Sequence, residues 1–195
     1  MKPIDYLSKI EPVVQSQFSS IVAAERILYD ERKYIEPEFD YYKFQFEQWS
    51  NLEEVDDLRV QYAHSRMGEA YQSLLLADIA CAAAASAILQ TAKQCVSMAF
   101  PGSARLSKGR SVGVSQPLSA VIWHARNHAL HFEEGWPPKN RETEKSLLLL
   151  QDEAGLNVKI LGHTTKSLAY EILKILGWHS YELFAKDMVA LLEMP

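Results

Sequence analysis

Between His124 and His131 the chain places three histidines, one arginine and one asparagine in eight residues, with no glycine until Gly135. Histidine carries protons at neutral pH because its unperturbed pKa lies near 6.5. A neighbouring guanidinium, which stays charged, can hold a phosphate at the same time. On a helix, with about 100° between successive residues, His124, His128 and His131 fall on one stripe. Asn127 lies beside His131 at an i,i+4 step. Arg126 stands five residues before His131, about 140° round the axis, so the two part company unless the helix ends there. Gly135 and Pro137 mark such an end. A second copy across a two-fold axis is the other way to bring Arg126 and His131 together.

Three readings compete for this cluster. In the first, the histidines are surface residues and Arg126 ties down acids such as Glu133 or Glu134. In the second, His124, His128 and His131 bind a metal; all-histidine sites gather ligands from elsewhere in a fold, and no recognised ligand spacing is present, so no metal is expected. In the third, the cluster performs acid/base chemistry on a phosphodiester.

The elements that would position these residues are helical. Val13, Val14, Phe18, Ile21, Val22, Ile27 and Leu28 recur at three- and four-residue steps, which predicts a helix from Glu11 to Tyr34, broken by Pro37. The aromatic run from Tyr41 to Trp49 is compatible with a short helix or an extended piece, and suits core or dimer contact. Ser50 or Asn51, followed by Glu53 and Glu54, reads as a helix start. A long helix then runs to Phe100, with Gly68 a candidate break, until Pro101-Gly102 ends it. Residues 101–117 read as a flexible loop containing Arg105, Lys108 and Arg110 and no acid. The motif helix follows from Pro117 to Phe132, with proline acceptable at its start. Further helices are expected over Glu142–Glu153, Thr164–Leu176 and Ser180–Leu192. Leu156–Leu161 fits either a short strand or a loop. The fold class expected is all-α, a helical bundle formed as one domain over residues 1–195.

Composition bounds the function. The 195 residues are 48% hydrophobic and 23% charged, as in ordinary globular chains. The net charge of −5 argues against a general nucleic-acid-coating role and leaves room for a local basic site. Cys81 and Cys95 would lie about 21 Å apart on one helix, too far to bridge, and two reduced thiols fit a cytoplasmic protein. The first residues lack the apolar core of a secretory signal. The apolar window Leu74–Leu89, interrupted by Asp78, is shorter than the roughly 20 residues of a spanning helix. It reads as a buried helix with no membrane role.

The segment Arg126-Asn127-His128-Ala129-Leu130-His131 resembles the motif of the HEPN superfamily: an arginine, a polar residue directly after it, and a histidine a few positions on. The apolar Val121-Ile122-Trp123 run, Phe132 and the long preceding helices are similar to the family too. The resemblance implies a metal-independent, cofactor-free endoribonuclease that acts as a homodimer with its motifs facing. In that reading RNA supplies the 2′-OH nucleophile, His131 is the general acid/base, Arg126 holds the phosphate and Asn127 orients. His128 and His124 are supporting residues, with His128 a rival for the catalytic role. A toxin or defence component is implied, with an antitoxin or partner protein. Family members without catalysis imply the alternative, a helical dimerisation or binding module for a protein or nucleotide.

Outside the motif, Arg105, Lys108 and Arg110 are candidate RNA-phosphate contacts against the reading of a merely solvated connection. Trp136 could stack on a base but more commonly packs its own loop. His64, Arg66, His163 and His179 suit caps or the surface.

Overall fold

The three- and four-residue spacing of apolar side chains is realised as helix almost throughout the described residues. The protein is represented by a computed structural model, which describes residues 2–49, 58–134, 138–158 and 167–194. Its elements are α1 (Pro3–Trp49), α2 (Leu58–Ala99), a 3-10 turn (Gly102–Leu106), β1 (Ser111–Val112), β2 (Gln116–Pro117) and α3 (Leu118–His131). A second 3-10 turn (Phe132–Glu134), α4 (Arg141–Ala154), α5 (Ala169–Leu176) and α6 (Tyr181–Leu192) complete them. The all-α expectation holds. Two compact units can be distinguished, Val22–Cys81 and a larger one built from Met1–Ile21 with Ala82–Pro195. The motif lies in the larger unit.

In the larger unit Phe184 forms the centre of a ring cluster. Trp178 meets it edge-on at 5.0 Å, and Phe18 and Tyr181 lie 6.3 and 6.2 Å away. Ile88, Leu89, Ile122, Leu147, Leu150 and Leu173 are fully buried in the same unit, each worth about 1.5–3 kcal/mol relative to exposure. Cys81 and Cys95 are buried free thiols, as expected. Helix α3 packs on α4, α5, the first 3-10 turn and both strands.

Several expectations change. Helix α1 runs through Pro37 to Trp49; proline deletes one N–H from the ladder, a local cost that the turns on either side can outlast. The aromatic run is therefore helical, although its side chains, with that of His64, lie outside the described residues. The Ser50–Glu54 start, Trp136 and His163 also fall outside them. Helix α2 passes Gly68 without a break. The apolar window is only partly buried: Cys81–Leu89 is largely interior, whereas Leu75, Leu76 and Ile79 are exposed. By length and composition alone, Ser65–Ala99 could cross a membrane, with 33% of its most apolar window buried. Leu156 and Val158 are buried, and residues 156–158 form no strand.

The segment after Pro101 departs most from its reading as a flexible loop. Its acid partners lie elsewhere in the sequence. Arg110 Nε donates to both oxygens of Asp187 at 3.0 Å, and its Nη2 donates to Asp187 at 2.7 Å and to the Leu176 carbonyl at 2.6 Å. The indole Nε1 of Trp178 donates to the same carboxylate at 2.8 Å. Glu153 accepts from the Val114 and Ser115 amides, both at 2.9 Å, and from the Ser115 hydroxyl at 2.5 Å. Gly113, at φ 65°, sits where a Cβ would come 2.8 Å from that of Glu153, so only glycine fits this turn.

These ties determine where α3 begins. Pro117 at its N-cap provides no side-chain acceptor. Instead the Arg110 carbonyl accepts from the Leu118 amide at 2.8 Å, and that of Lys108 accepts from Ser119 at 3.1 Å. Two of the unpaired donors of the first turn are thus satisfied by the preceding segment. Asp187→Ala removes the acceptor from Arg110 and from the buried Trp178 indole. It is expected to lower stability by about 2 kcal/mol, read as a shifted urea midpoint. An unchanged midpoint would release Arg110 from this structural role.

Candidate functional site

Helix α3 presents three surfaces. Trp123, Arg126 and Asn127, at i, i+3 and i+4, face the Gln90–Lys93 turn of α2. Arg126 Nε donates to the Gln90 side-chain oxygen, and Lys93 Nζ donates to Asn127 Oδ1 at 3.0 Å. The Lys93 ammonium also lies 3.8 Å from the Trp123 ring centre, and Arg105 lies 4.4 Å from it. Burial, then the charges of Arg126 and Arg105, pull the Lys93 pKa down to about 8.

The second surface is the more buried one. His128 is buried, and its Nε2 has no hydrogen-bond partner among the described residues. Burial lowers its pKa to about 4, so the ring is neutral. His124 Nδ1 lies 3.2 Å from the Thr143 hydroxyl on α4. Burial likewise lowers its pKa, opposed by Glu142 and assisted by Lys93.

The third surface is the helix end. His131 is the last residue of α3, and the 3-10 turn that follows brings Glu134 back to it, with Nδ1 3.0 Å from the carboxylate. The pair is exposed, and Lys139 adds a second cation at 2.9 Å from Glu134. Hydrogen bonds from Lys139 and His131 hold the Glu134 carboxyl below its usual pKa. Asn127, His128, His131, Glu134, Lys139 and Thr143 line a pocket of about 270 Å³, which Pro138 and Asn140 complete. Asn140 also caps α4 by accepting from the Glu142 and Thr143 amides.

The structure therefore brings Asn127, His128 and His131 together and leaves Arg126 on the adjoining face, as the helical geometry predicts for one chain. His124 lies behind the pocket rather than in its lining. Among the described residues, no three His, Cys, Asp or Glu side chains gather as metal ligands. Arg105 joins the Trp123 face, with its Nε donating to the Gly102 carbonyl at 2.5 Å. Arg110 is committed to Asp187 and is not a free phosphate contact. Lys108 lies over the Phe100 ring at 5.7 Å. Arg66 pairs with Glu69 at 2.6 Å, and His179 is exposed, both in keeping with surface roles.

Sequence reasoning missed Lys93, Gln90, Lys139 and Thr143. A signal for Lys93 was present: it is the only charged residue between Asp78 and Arg105. Compared with family models, curated proteins and solved structures, the chain matches none.

The buried neutral ring of His128 makes folding pH-dependent. Its folded pKa lies near 4, below the unfolded value of about 6.5. The stability it confers is complete above pH 6.5 and is lost as pH falls through 4, because the unfolded chain takes up the proton first. The loss is expected to reach about 2 kcal/mol by pH 5. His128→Leu should flatten the difference between urea midpoints at pH 7 and pH 5, leaving a smaller part from His124. An equal pH dependence in the variant would contradict the assignment.

Proposed function

We propose that this protein is a HEPN-like, metal-independent RNA-cleaving enzyme that acts as a homodimer. The observation that carries the reading is the His131–Glu134 pair at the rim of the pocket. With the Nδ1 proton directed at Glu134, Nε2 of His131 keeps its lone pair and faces outward as a base. It removes the ribose 2′-OH proton, and the 2′-oxygen attacks the adjacent phosphorus. The bond to the 5′-oxygen breaks, and that oxygen takes a proton from the imidazolium. The products are a 2′,3′-cyclic phosphate and a 5′-hydroxyl.

Arg126 from a second copy holds the phosphate and balances charge in the transition state. Asn127, at the edge of the pocket, orients it. Such an activity suits the toxic half of a toxin–antitoxin or defence system, neutralised by a partner protein that covers the pocket.

His131→Ala is expected to lower RNA cleavage by roughly 10²–10⁴-fold, and Arg126→Ala by roughly 10²–10³-fold. Cleavage should persist in EDTA, and DNA should be spared for want of the 2′-OH. Activity abolished by EDTA, or unchanged from that of the unsubstituted protein in both variants, would defeat the reading. The second reading is a non-catalytic dimerisation or binding module, favoured by the absence of Arg126 from the His131 pocket of its own chain. A dimer that retains RNA without cleaving it would select that module.

A further inference from the structure

Lys93, Arg105 and Arg126 gather around Trp123 with no carboxylate among them. Lys93 and Arg105 lie over the same indole ring. Arg126, one turn further along α3, bonds to the neutral amide of Gln90, itself one turn before Lys93. None of the three is in an ion pair with an acid among the described residues. All three are half-buried, hence still reachable from solvent. Like charges in a partly desolvated place repel, and burial first, then the charges of Arg126 and Arg105, lower the Lys93 pKa. An anion relieves that repulsion, and guanidinium groups suit phosphate geometry. Arg110, by contrast, has its acid.

We propose that Lys93 and Arg105 flank Arg126 as a basic cradle for the backbone phosphate next to the one that Arg126 contacts on the RNA strand, outside the His131 pocket. The proposal rests on the reading that this protein acts on RNA. Asn127 joins the two places, since it accepts from Lys93 and also lines the pocket. A strand held at the cradle is thereby registered against the catalytic pocket. Lys93 and Arg105 bind and position; the proton transfers belong to His131, and the charge on the scissile phosphate is met by Arg126.

The test is binding of a fluorescent 2′-O-methyl oligonucleotide, which lacks the free hydroxyl needed for cleavage, to the full chain across a salt series. Lys93→Gln and Arg105→Gln are each expected to weaken binding by roughly tenfold. Each should also reduce the magnitude of the log K against log salt slope by about 0.7. Lys93→Arg should retain most of the affinity, and Lys145→Gln, an exposed lysine elsewhere, should change little. Thermal melts verify that each variant folds; Arg105, on the short 3-10 turn, serves if Lys93→Gln does not.

Affinity and slope unchanged in both glutamine variants overturn the cradle. Binding to pyrophosphate without binding to the oligonucleotide overturns its assignment to a strand. If the oligonucleotide binds through Lys93 and Arg105 but ordinary RNA is not cleaved, the cradle stands and the cleavage reading falls. If RNA is cleaved and neither variant alters binding, the cradle falls and the cleavage reading stands.

Discussion

The grip of the Arg110 guanidinium on Asp187 connects the segment before α3 to the C-terminal helix. A planar fork on a carboxylate fixes direction as well as distance, and here the fork also reaches the last carbonyl of α5. The same carboxylate takes the Trp178 indole proton, so the tie is rooted in the aromatic core around Phe184. The backbone of Lys108 and Arg110, steadied in this way, supplies the carbonyls that close the first turn of α3. A polar tie at one end of the unit thus determines where the motif helix starts, and therefore which way its side chains point.

From that start, one helix separates three environments within a few ångströms. Toward α2 it collects cations that pair with no acid among the described residues. Toward α4 it keeps His128 dry and neutral and ties His124 to Thr143. At its end it leaves His131 wet and paired with Glu134. The physical difference between His128 and His131 is burial: desolvation penalises the charged imidazole of His128, whereas His131 is exposed at the helix end. A wet, carboxylate-paired histidine suits proton transfer better than a dry one, which is why the proposed chemistry is assigned to His131. Asn127 lies on the boundary between the cationic face and the pocket.

Much of this was legible in the residues. The limits of α3, α4 and α6 were readable to within a residue or so from the spacing of their apolar side chains and, for α3, from Pro117 at its start. The separation of Arg126 from His131 followed from 100° per residue. The character of residues 101–117 was not legible, since acid-free composition hides acids such as Asp187 and Glu153 supplied from distant helices. Pro37 misled for a different reason, because a residue that weakens a helix locally does not decide whether it continues.

By itself, then, the sequence determined the helical class, the positions of α3, α4 and α6 and the order of groups around α3, all of which follow from local periodicity and chain geometry. Only the tertiary structure decided which histidine is dry and which is wet, and which arginine already has an acid. It alone brought Lys93 to Asn127 and Trp123. Those outcomes depend on burial and on partners far away in the chain, and a side chain's protonation and availability are set by what packs against it rather than by its neighbours in sequence.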